Sequence, residues 1–181
     1  MHYRGCGGGE GDFSIAGWLR DVEAGVDALS ARDDVSTVSI IGFGTGAALA
    51  ICAAARHPEV RAVAAIAPPA DFSDWSDDPE LLLAHARRIG AITNDDFPAD
   101  FEAWSRELSE VQAVVSAGEL APRPLLVIHG NDDATVPVFD ARIVADAHGS
   151  AELRIIHGAG HLLRYDPRAI AMLLGWVDRL R

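Results

Sequence analysis

The chain has 181 residues, 49% of them apolar and 23% charged, which is enough apolar side chain to close a single core. Its formal net charge of −12 is carried by acidic residues scattered along the sequence, which argues against nucleic acid and anionic membrane as partners. No apolar run approaches the ~18 residues of a membrane span, and no secretory signal pattern opens the chain. Cys6 and Cys52 give no disulfide framework, so a reducing cytoplasm is the expected compartment.

A glycine-rich stretch at 5–11 leads into a segment, 15–31, where Ile15, Leu19, Val22, Val26 and Leu29 recur at helical spacing. Ser14 stands before it as an N-cap. Residues 37–42 predict a buried strand, followed by Gly42-Phe43-Gly44-Thr45-Gly46 and an alanine-rich helix over 45–56. A second strand over 61–67 stops at Pro68-Pro69. The region 71–120 differs in character, with Asp, Trp and helix formers in place of strand residues. It predicts helices over 79–89 and 98–116, forming a small helical cap or insertion over the sheet edge. Trp75, Phe97, Phe101 and Trp104 are positioned either to line a pocket beneath it or to pack it onto the domain. Strands over 125–129 and 153–157 follow, and a helix over 167–180 closes the chain with Pro167 in its first turn. Strand-like and helical segments alternate, which predicts one α/β domain over 1–181: a three-layer sandwich about a mostly parallel sheet.

Three motifs lie at the ends of these strands. The first is Gly42-Phe43-Gly44-Thr45-Gly46, a sharp turn between strand and helix, the setting of a nucleophile elbow with glycine in the serine slot. The second is His129-Gly130-Asn131-Asp132-Asp133-Ala134-Thr135-Val136-Pro137, and the third His157-Gly158-Ala159-Gly160-His161. Parallel strands carry such loops to one edge of a sheet, where residues 44, 133 and 161 can meet. In this order and context the chain resembles the α/β-hydrolase family, in its small-cap esterase and serine-aminopeptidase-like branch. The resemblance implies Asp133, not Asp132, as triad acid and His161 as triad base. It puts the nucleophile at Gly44 and an oxyanion-hole backbone N–H at Thr45.

Taken singly, each residue has a plainer reading: Asp133 shapes its own turn or caps a helix near Val138, and His161 is a loop histidine. His129 sits at a strand end and reads as structural. His157 and His161 lie on a glycine-broken loop without further ligands, so no metal or cofactor is expected.

Two departures from the family follow. Gly44 has no hydroxyl or thiol, which closes the acyl-enzyme route at that position. Thr45 supplies a nearby hydroxyl, but its slot in the family serves through its backbone. A water activated by His161 and Asp133 would be the remaining route to an ester or amide substrate. The second departure is the opening, His2-Tyr3-Arg4-Gly5, which resembles the family's strand end just before the 15–31 helix. Only the later part of the fold is then expected: either one apolar edge of the 37–42 strand is open to another chain, such as a second copy, or, as the good core favours, the true start lies upstream of Met1. Gly42-Phe43-Gly44-Thr45-Gly46-Ala47 also satisfies G-x-G-x-x-A, so a dinucleotide-binding module is a rival. That motif expects a carboxylate at the end of the next strand, where this chain has Ala65-Ile66-Ala67-Pro68.

Overall fold

The computed structural model describes residues 2–180. Four strands form one parallel sheet in the order β1 (Val38–Phe43), β2 (Val60–Ile66), β3 (Leu125–Gly130) and β4 (Glu152–Ile156). Phe43 pairs with Ile66 and Ile66 with Ile128, so β1 and β2 end level, and Gly130 pairs with Ile156, so β3 and β4 end level just beyond them. The loops carrying the elbow, the acid and the histidine therefore leave the same edge of the sheet.

Burial on both faces explains why the strands are runs of apolar residues rather than alternating ones. Val63, Ala65, Leu125 and Val127 turn to one face, where helices α1 (Ile15–Ser30) and α2 (Thr45–Arg56) complete the larger core. Ala62, Ala64, Ile66, Leu126 and Ile128 turn to the other, against Leu173 and Trp176 of α8 (Pro167–Asp178). This is the expected three-layer α/β architecture. Ser14 caps α1 by accepting from the Gly17 N–H at 3.0 Å. Among the described residues β1 has a strand neighbour on one side only, and Ile41 is 48% exposed.

Four helices occupy the stretch between β2 and β3. They are α3 (Ser73–Ser76), α4 (Pro79–Arg88), α5 (Phe101–Glu110) and α6 (Ala113–Leu120). The single helix expected over 98–116 is thus two. Val111 and Gln112 leave helical geometry, with ψ of 100° and 106°. Neither residue is a breaker. The division follows packing: α6 lies against α2 and α7 (Val138–His148), while α5 carries Trp104 toward Phe13. Tertiary contact overrides the local preference here. Phe13 gathers Trp18, Trp75 and Trp104 about it at 4.6, 6.0 and 6.2 Å, and the Trp104 indole N–H donates to its carbonyl at 3.1 Å. Phe97 and Phe101 pack against this cluster, so of the four aromatics named from the sequence only Trp75 also reaches the cleft described below.

Candidate active site

Gly44 joins β1 to α2 with φ 55° and ψ −128°, a backbone conformation that side chains other than hydrogen tolerate poorly. Its N–H donates to the Ile66 carbonyl at 2.9 Å, which fastens the turn to β2. A Cβ built on Gly44 would lie 3.4 Å from His161 Nε2 and 3.7 Å from Cε1, in ordinary contact. The space in front of the elbow therefore faces an imidazole. Thr45 is the first residue of α2, so its N–H belongs to the turn that has no intrahelical acceptor.

The acid loop is built around one carboxylate. Asp133 Oδ1 accepts from the Thr135 and Val136 N–H groups at 2.8 and 2.9 Å. Its Oδ2 lies 2.8 Å from His161 Nδ1, and the Asp133 side chain is fully buried. Burial pushes this carboxyl up, but the Val136 N–H, the His161 ring and the Thr135 N–H outweigh it, and the net direction is down. Asp132, its neighbour, is exposed and accepts nothing from His161.

The histidine loop is held against the acid loop by close backbone approach. A Cβ on Gly130 would strike the Ala159 carbonyl, so glycine there lets the two loops touch. Asp132 N–H donates to that carbonyl at 3.0 Å, and Gly158 N–H to Asn131 Oδ1 at 2.7 Å. His161 is one-quarter exposed (26%), with Nδ1 turned inward to Asp133 and Nε2 outward toward Gly44. With Nδ1–H donated to the carboxylate, Nε2 is left as an acceptor aimed at whatever stands over the elbow. In this geometry Nε2 can accept a proton while the carboxylate holds the ring in place.

The pair opens on a cleft of 370 Å³ that Thr45 and His161 line together with Phe72, Trp75, Val136 and Phe139. Asp71, Asp74 and Asp140 supply its charge, and no arginine lines it. Burial pushes the Asp140 carboxyl up; the Ala70 N–H pulls it down, Asp71 and Asp74 push it further up, and the net direction is up. The cleft thus disfavours an anionic ligand. Phe139 and Asp140 follow the acid loop directly, on the first turn of α7. Their adjacency to that loop is the one local signal in the sequence that marks them. His157 is exposed and does not join His161. Among the described residues, a grouping with metal-ligand spacing occurs at Asp27, His57 and Glu59, where the sheet's strands begin rather than end.

The family model described as the prolyl oligopeptidase family matches residues 15–180. Among curated proteins, the chain is 26% identical to the uncharacterized protein YfhR of Salmonella typhi, covering 77% of this chain and 45% of that protein. It is 25% identical to the 2-hydroxymuconate semialdehyde hydrolase of Pseudomonas sp. (strain CF600), covering 87% of this chain and 66% of the other. The chain thus spans about half to two-thirds of the length of these relatives. Among solved structures, the α/β hydrolase GrgF from Penicillium sp. sh18 superposes with a TM-score of 0.73 at 20% identity, over 97% of this chain and 75% of that one. At that identity the likeness is one of fold.

Proposed function

We propose, because this chain belongs to the prolyl oligopeptidase family and has the fold of an α/β hydrolase, that it binds neutral or cationic ester or amide compounds at an acid–histidine pair whose serine nucleophile is replaced by Gly44. In this reading Asp133 orients and stabilises the His161 ring, His161 Nε2 is the base, and the Thr45 N–H faces the ligand's carbonyl oxygen. The observation that carries it is the 3.4 Å between His161 Nε2 and the place a side chain at Gly44 would occupy. The base still points at the nucleophile position, and that position holds no nucleophile. The ordinary acyl-enzyme route is closed, and the protein is impaired as a serine hydrolase. Of the helices of 71–120, α3 meets this site through Ser73, Asp74 and Trp75, while α6 packs into the larger core against α2 and α7, so the cap is reduced to α3 and the loop before it. The 2-hydroxymuconate semialdehyde hydrolase among its relatives is a small-molecule enzyme by name, which fits a ligand of that size.

A fluorophosphonate probe and p-nitrophenyl acetate test the reading. The wild-type protein is expected to resist labelling and to show no burst, and Gly44→Ser to gain both. Wild-type labelling that maps to Thr45 would overturn it.

One observation favours a second reading, in which water replaces the serine. Apart from Gly44 and its two chain neighbours, the atoms within 4 Å of a Cβ position at Gly44 belong to His161 among the described residues, so a water there would sit against the base. Slow burst-free turnover by the wild type, abolished in His161→Ala, would support that route. The open side of β1 is where a second copy would add a strand; size-exclusion chromatography with light scattering decides between monomer and dimer.

A further inference from the structure

His129 occupies the next-to-last position of β3 and is fully buried. Its Nε2 lies 3.0 Å from the Val136 carbonyl oxygen and 3.3 Å from Asp133 Oδ2, the oxygen that also meets His161. Its other nitrogen, Nδ1, is buried with no hydrogen-bond partner. Two oxygens at one nitrogen and none at the other select the tautomer. The proton sits on Nε2, because an N–H at Nδ1 would be buried with nothing to accept it. An orphaned ring nitrogen is a cost that a phenylalanine of similar size would not carry, so the histidine's return must come from Nε2.

We propose that His129 is a positioning residue for Asp133. One N–H ties Val136, the far end of the acid loop, back to β3 and lays its positive end beside Oδ2. The carboxylate is then engaged on both oxygens: Oδ1 by the Thr135 and Val136 N–H groups, Oδ2 by His161 and His129. It cannot rotate away from His161 without losing contacts on either side. The functional meaning rests on Asp133 being the acid of the site; the geometry does not depend on turnover.

The test is a carboxyl-carbon NMR titration of Asp133 in the wild-type protein, His129→Phe and His129→Gln, with a long-range proton–nitrogen spectrum of the wild-type histidines. The other ionisable groups near this pair are His161 and, from α7, Asp140. The spectrum is expected to show His129 protonated at Nε2 alone. His129→Phe, which keeps the bulk and removes the donor, should raise the Asp133 midpoint by about half a unit, a threefold gain in proton affinity. His129→Gln, whose amide can reach the same oxygens, should titrate as the wild type does. A proton on Nδ1, a His129→Phe midpoint equal to wild type despite a lowered Tm, or a His129→Gln midpoint raised as in His129→Phe would each overturn the proposal. Should His129→Phe fail to fold, the tautomer and the His129→Gln midpoint decide it. An inert Gly44→Ser protein would count against the hydrolase reading and leave this measurement standing.

Discussion

Installing the absent nucleophile is the most direct test of the site. In Gly44→Ser the new Cβ stands 3.4 Å from His161 Nε2, in contact without a clash. One C–O bond further on, the hydroxyl enters the ~2.6–3.2 Å range from which a base abstracts a proton. The backbone at φ 55° and ψ −128° is the obstacle, since serine in such a region costs ~1–3 kcal/mol. For a domain of this length ~1 kcal/mol moves Tm by ~2–4 °C, so a loss of ~2–12 °C is expected in calorimetry. Acid–base assistance by a positioned histidine is worth ~10²–10⁴ in rate. Hydrolysis of p-nitrophenyl acetate should therefore rise in Gly44→Ser and fall back to the wild-type level in Gly44→Ser/His161→Ala. The assay is stopped-flow release of nitrophenolate alongside fluorophosphonate labelling and peptide mapping. A Gly44→Ser protein that melts within the expected range, yet neither labels at residue 44 nor shows a burst, would refute the claim that acid and base are poised.

Four further outcomes follow from the geometry. Asp133 has a depressed carboxyl pKa, so its ionised form stabilises the fold above the unfolded value of ~3.9, and that stability is lost as pH falls through the lower folded value. Urea melts of wild type and Asp133→Asn should thus differ at pH 7 and converge as the pH drops below about 4. Asp140 has the opposite sign: its folded pKa is raised, so stability is lost as pH rises through it. Asp140→Asn keeps an oxygen for the Ala70 N–H and should be the more stable protein at pH 7, by the same melts. In the Gly44→Ser background an ester bearing a carboxylate, such as p-nitrophenyl succinate, should show a higher KM than the acetate, and Asp140→Asn should narrow the gap. Ile66 is fully buried at the end of β2, and Ile66→Ala should cost ~2–5 kcal/mol in denaturant melts.

Local patterns carried most of the fold. Apolar runs bounded by glycine and proline marked all four strands within a residue or two, and helical spacing marked α1, α2, α4 and α8. The break at Val111-Gln112 left no local trace, because it is set by α5 meeting Phe13 while α6 meets α2 and α7. The aromatic residues of 71–120 were visible as a group, but which of them faces the cleft was not. That depends on Phe13, far away in sequence, which draws Trp104 inward.

The sequence by itself determined the four strands in their order, the helices α1, α2, α4 and α8, and the glycine at the turn after β1. These are properties of spacing and of residue chemistry at strand ends, legible without knowing distances. Tertiary structure alone decided that His161 Nε2 stands 3.4 Å from where a side chain at Gly44 would be, and that Asp133 Oδ2 faces two histidines. Those facts depend on the parallel register that brings the ends of β1, β3 and β4 to one edge of the sheet and on Gly130 letting two loops touch. Register and close approach arise between segments distant in the chain, and no local pattern encodes them.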